Sequence, residues 1–197
     1  MKKTKLKTKD LIYAGAFAAL YMVAMCIIVM GFGMIPILYL MAPLFVGLIA
    51  ATIYMMYVTK VKKFGAILIL AILFGVFMSS SGHGITIVLC IPVGLIAELI
   101  AKAGGYTSKK MLALSYAVFN LTVVSPFYGL YFASEQFIEQ CDMYYGPEYA
   151  NAIQGVLDSF GLAFMGIQAL LAVVGALVGA FIGGKLFKKH FEKAGLV

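Results

Sequence analysis

The chain has 197 residues, 63% of them hydrophobic and only 12% charged, with a mean hydropathy of +1.03. Soluble domains are about half apolar and a quarter charged, so this composition excludes a soluble globular protein and points to an integral membrane one. The net charge of +7 comes entirely from lysine and requires no nucleic-acid partner, because lysines at the ends of spans set topology and attract anionic lipid.

In chain order, apolar runs predict membrane helices at about 10 to 30, 37 to 58, 64 to 79, 85 to 103, 111 to 132 and 162 to 187. At 1.5 Å per residue each of the six crosses, or falls just short of crossing, a hydrocarbon core of roughly 30 Å. The first run is too long for the apolar core of a signal peptide and has no small-residue cleavage site after it, so it is expected to stay in the membrane. Alternation of polar and apolar residues at every second position is absent, which argues against a β-barrel. The expectation is one all-α transmembrane domain over residues 1–197, with an outer loop at 133–161.

Lysines fall at Lys2 to Lys9, Lys60 to Lys63, Lys102 to Lys110 and Lys185 to Lys193. With six spans these are the two termini and two loops on one side. The opposite loops carry no lysine, and the last of them holds Glu135, Glu139, Asp142, Glu148 and Asp158. The positive-inside rule then puts both termini in the cytoplasm of a multi-pass plasma-membrane protein. Cys26 and Cys90 lie in predicted helices and Cys141 in the outer loop, a placement that suits packing rather than disulfides or a metal site.

Catalytic machinery is not evident. Gly179 to Leu186 reads G-A-F-I-G-G-K-L, close to a phosphate loop, but Leu186 cannot ligate magnesium and the segment belongs to a predicted helix. The one acid inside a span, Glu98, stands four residues before Lys102; an i,i+4 ion pair is the plainer reading, and a proton relay the other. Gly175, Gly179 and Gly183 repeat at four-residue spacing on the last helix, and Ala14 and Ala18 do so on the first. Such faces bring helices together in lipid, either within the bundle or against a partner subunit.

The stretch Ser79 to Gly84, SSSGHG, is where the third run stops, about 20 residues from Lys63 and so at the outer margin of the bilayer. It forms either a solvated turn or a loop facing a cavity open to the outside. The second reading makes Ser80 and His83 candidate substrate contacts. On the fifth helix Tyr116, Asn120, Val123, Phe127 and Tyr131 share one stripe. Asn120 lies about 15 Å deep, where its amide must bond another helix or a ligand, and Pro126 can kink the helix above it. Gln168 on the sixth helix reaches a similar depth. Pro147 can start a short amphipathic helix bearing Ile153, Val156, Leu157 and Phe160, which either lies flat on the bilayer or closes as a lid. Asn120, Phe127, Tyr131 and Gln168 thus join Ser80 and His83 as candidate substrate-binding residues, in an aromatic pocket suited to a small, flat, largely uncharged heterocycle.

Several pieces together resemble the Trep_Strep family: Lys9-Asp10-Leu11-Ile12, Gly15-x-Phe17-x-Ala19-Leu20-Tyr21, the Gly82-His83 turn, Ala97-Glu98-Leu99 with Gly105-Tyr106, and an ending with Lys185, Lys188 to Phe191 and Lys193 to Gly195. Members of that family are regarded as substrate-binding S components of energy-coupling factor (ECF) importers. The resemblance implies a six-helix bundle without an ATPase of its own or any intrinsic cofactor, which captures a vitamin-like micronutrient. It implies a transmembrane coupling subunit and two cytoplasmic ATPases as partners, with ATP used by the latter. It also implies that Ala14 and Ala18, which match an A-x-x-x-A face, dock the coupling subunit. Vitamins, pterin-like or pyrimidine compounds, queuosine precursors and haem, with His83 as axial ligand, stay open as substrates. A stand-alone proton-coupled secondary transporter, or a small membrane enzyme using Glu98 or His83, is the alternative.

Overall fold

The structure, a computed structural model, describes residues 6–190, with side chains to residue 183. Lys2, Lys3, Lys5, Lys193 and the Phe191-to-Gly195 end of the family-like motif lie outside the described residues, as do the side chains of Lys185 to His190. Every described element is helical. In hydrocarbon a backbone must satisfy its own polar groups, and a helix does so within one segment.

Helices α1 (Thr8–Phe32), α3 (Ala42–Val61), α5 (Ile85–Ala103), the stretch Lys109–Phe132 and α10 (Ala163–His190), through its part Ala163–Gly183, are long and apolar enough to cross a membrane. Helix α4 (Ala66–Ser80) matches the predicted third span but has 15 residues, about 22 Å of rise.

Two predicted spans are broken. The run expected at 37 to 58 divides into α2 (Pro36–Leu40) and α3. Pro43 has no N–H to bond the Tyr39 carbonyl, and the Leu44 N–H turns to Met41 instead, at 2.9 Å. The run expected at 111 to 132 is α6 (Lys109–Phe119), a 3-10 helix over Asn120–Phe127, and α7 (Tyr128–Phe132). Pro126 removes a donor there, and eight residues tighten into 3-10 geometry rather than bending at one point. The segment 133–161 holds two helices, α8 (Ser134–Tyr145) and α9 (Pro147–Phe160), joined at Gly146, whose φ of 88° suits glycine. Helix α9 starts at the proline that the sequence marks.

Three lysine segments meet at one end. Asp10 accepts the Lys7 backbone N–H at 2.7 Å and pairs with Lys63 at 2.6 Å, tying the start of α1 to the α3–α4 turn. Lys9 and Lys60 both lie over the Tyr13 ring, and Lys102 over Phe64.

Glu98 departs from the expected pair with Lys102. It is fully buried, and one carboxylate oxygen accepts the backbone N–H groups of Ile67 and Leu68, at 2.7 and 3.2 Å, while the other accepts the Tyr106 hydroxyl at 2.7 Å. The first turn of any helix leaves N–H groups without intrahelical partners, and Gly65, which precedes α4, has no side chain to cap them. A carboxylate from α5 supplies the cap, where the helix dipole also favours negative charge.

The core is aromatic and hydrogen-bonded. Tyr21 meets Phe74 and Phe119 edge-on, and Tyr54 lies against Tyr116 and Phe119. Tyr54 bonds Ser115, which donates to the Ala97 carbonyl at 2.6 Å, while Tyr57 donates to the Ala66 carbonyl at 2.7 Å. Helices α3 and α10 form the most extensive pair. Their seam is built on glycine: a methyl group at Gly175 would overlap the Leu44 carbonyl, one at Gly179 the Gly47 carbonyl, and one at Gly183 would come within 2.8 Å of the Thr52 hydroxyl. The G-x-x-x-G repeat therefore serves packing inside the chain. The phosphate-loop-like segment is continuous helix. Large apolar side chains such as Leu20, Ile27, Val88 and Phe181 remain exposed around the belt, as lipid contact requires.

Candidate functional site

At the end opposite the lysines, α8 and α9 fold over the bundle. The Tyr149 hydroxyl donates to the Gly33 carbonyl at 2.7 Å, and Ile153 is fully buried, so α9 is fastened to the end of α1. The Tyr39 ring joins α2 to this cap, with centroids 5.1 Å from Phe127 and 6.5 Å from both Phe137 and Tyr149.

Between this cap and the SSSGHG turn lies a cavity of about 440 Å³. One wall is the turn itself, through Ser81, Gly82 and His83, with Pro126 and Gly129 from the 3-10 helix and α7. The other is α8, through Gln136, Phe137, Gln140, Cys141, Tyr144 and Tyr145. Gly82 has a φ of 93°, which lets the chain turn sharply enough to present His83. Among the described residues the lining carries no lysine, aspartate or glutamate, and no cluster of histidine, cysteine and acids could hold a metal.

The residues expected at a site fall into separate groups. His83 lines the cavity, and its Nδ1 is buried without a hydrogen-bond partner. Ser80 turns away, its hydroxyl donating to the Phe77 carbonyl at 2.7 Å, and Ser81 takes the lining position. Phe127 stands behind Tyr39. Asn120, fully buried, donates to the carbonyls of Pro43 and Ala172, both at 2.9 Å, and so clasps α3 and α10. Gln168 donates to the Leu40 carbonyl at 3.2 Å and accepts the Tyr131 hydroxyl at 3.0 Å. Asn120, Tyr131 and Gln168 thus form a polar seam between helices, beside the cavity rather than in it. Ala14 and Ala18 face inward, each 2% exposed, within the core that α1 forms with α3 and α4.

Sequence reasoning passed over Gln136, Phe137 and Gln140 as lining residues. The signal was available: 133, 137, 140 and 144, with 136, 141 and 145 beside them, repeat at helical spacing and carry no charge.

Burial lowers the His83 pKa from 6.5, against a smaller opposing effect of the Ser81 and Met78 backbone. The unfolded chain therefore takes up the proton first as pH falls below 6.5, and stability drops until the folded-state value is passed. The fall in melting temperature between pH 7 and pH 5 is expected to be shallower in His83→Gln than in the parent, measured by thermal unfolding in detergent. Equal slopes would place the ring in solvent.

No curated protein and no solved structure matches the chain. Over residues 8–193 the sequence matches the family described as hypothetical bacterial integral membrane protein (Trep_Strep). The helical bundle, its lipid-facing belt and this match give one conclusion: the chain belongs to the Trep_Strep family and is a multi-pass integral membrane protein.

Proposed function

We propose that the chain is the substrate-binding subunit of an ECF-type importer, taking up a vitamin-like micronutrient and energised by ATP hydrolysis on other chains. The observation that carries this reading is the 440 Å³ cavity at the lysine-free end, roofed by α8. With α4 counted as the sixth span, the positive-inside rule puts the lysine-bearing end and both termini in the cytoplasm, and the cavity opens outward. Because α4 rises only about 22 Å, the turn after it sits inside the outer margin of the bilayer, and its polar backbone faces the cavity.

The phosphate-loop-like glycine Gly179 is committed to contact with α3, so energy comes from partners: a transmembrane coupling subunit and two cytoplasmic ATPases. If α1 docks the coupling subunit, it does so through Gly15, Ala16 and Ala19, which are exposed, rather than through Ala14 and Ala18. Glu98, with both oxygens engaged by donors, suits a structural role better than a proton relay.

Reconstitution in liposomes tests the assignment. Accumulation of the copurifying small molecule is expected only when the coupling subunit, both ATPases and ATP are present. Uptake by the chain alone, driven by a proton gradient and lost in Glu98→Gln, would overturn it in favour of secondary transport.

A further inference from the structure

Helix α8 sorts its side chains by charge. Glu135, Glu139 and Asp142 line a groove shared with α9, together with Ser134 and Ile138. Gln136, Phe137, Gln140, Tyr144 and Tyr145 line the cavity. Three acids in one 12-residue helix are all kept out of the space that the same helix roofs.

That division restricts what the cavity accepts. An ion entering it would give up hydration and meet no opposite charge, whereas an uncharged molecule loses far less. Gln136 and Gln140 stand one helical turn apart on the same face. Each amide offers a donor and an acceptor side by side, the arrangement that reads a neighbouring N–H and C=O, or an N–H and a ring nitrogen, on a flat heterocycle. Tyr144 and Tyr145 supply ring faces for stacking, and His83 stands in the opposite wall.

We infer that α8 is the specificity element of this cavity: Gln136 and Gln140 select an uncharged aromatic ring bearing an amide or lactam edge, and the acids of the other face take no part. This inference rests on the reading of the chain as a substrate-binding subunit.

Thermal unfolding of the purified full chain tests it with matched probes, nicotinamide against nicotinate and uracil against orotate, with hypoxanthine as a larger neutral lactam. A ligand that binds only the folded state raises its melting temperature. At least one neutral probe is expected to do so and neither carboxylate. Gln136→Leu and Gln140→Leu, both exposed positions, are each expected to weaken that probe tenfold or more, and Glu139→Gln to leave it unchanged. Stabilisation by a carboxylate, or full binding by both leucine variants while Tyr144→Ala loses it, overturns the role of the amides but keeps the binding subunit. If no probe acts, the molecule that copurifies decides: a neutral ring with such an edge, lost from Gln136→Leu, supports the inference, and a charged one overturns it. Absence of any copurifying molecule overturns both readings.

Discussion

Glu98→Ala is expected to destabilise the folded chain by about 3 to 5 kcal/mol, the sum of leaving two backbone N–H groups and a tyrosine hydroxyl without an acceptor in the interior. Neither Ile67 nor Leu68 has another acceptor available in the first turn of α4, because the residues before them contribute carbonyls that point along the helix rather than back. Glu98→Gln keeps an oxygen for the Ile67 N–H, 2.7 Å away, and is expected to cost about 1 to 2 kcal/mol. Tyr106→Phe removes one bond and is expected to cost about 1 kcal/mol. Thermal unfolding of the four proteins in one detergent measures the order. A proton relay makes the contrary prediction, that Glu98→Gln abolishes activity while the melting temperature is unchanged.

The second large effect lies in the α3–α10 seam. Gly179→Leu places a branched side chain where the Gly47 carbonyl already stands, with the Leu48 carbonyl 2.6 Å from the position of the first added carbon. Both obstacles are backbone, so no rotamer change relieves the overlap. Even Gly179→Ala is expected to cost about 1 to 3 kcal/mol, and the leucine variant more than that, seen as loss of a monodisperse peak in size-exclusion chromatography. Gly166, on the same helix, has open space around it. Gly166→Ala is expected to be neutral or to stabilise by up to about 1 kcal/mol through helix propensity. Equal behaviour of the two alanine variants would show that the seam does not depend on close backbone approach.

Much of the fold is legible in the sequence because membrane helices announce themselves by length and hydropathy. The apolar runs that became α1, α5 and α10 match those helices within a few residues at most ends. Where the reading failed, a proline was responsible. Pro43 lies within an apolar run whose hydropathy is continuous, so composition does not register the missing donor that divides α2 from α3, and Pro126, expected to kink its helix, instead tightens residues 120 to 127.

The candidate site was less legible, for a different reason. A buried amide such as Asn120 must find partners, but the sequence does not say whether carbonyls of neighbouring helices or a ligand will supply them. The carbonyls of Pro43 and Ala172 come from distant parts of the chain and are brought together only by the glycine seam. Glu98 was misread likewise: Lys102 is its neighbour along the helix, yet the donors that hold it come from α4 and from Tyr106. His83 lines the cavity because the polar turn that carries it interrupts an otherwise apolar stretch of chain.

The most direct measurement is native mass spectrometry of the protein purified from cells, alongside Ala133→Trp, which sets an indole at a lining position of the cavity. The parent is expected to carry one small uncharged molecule, released on unfolding, and the tryptophan variant to fold normally and carry none. A parent free of any bound small molecule, or a variant that carries the same one to the same extent, would contradict a substrate site between the SSSGHG turn and α8.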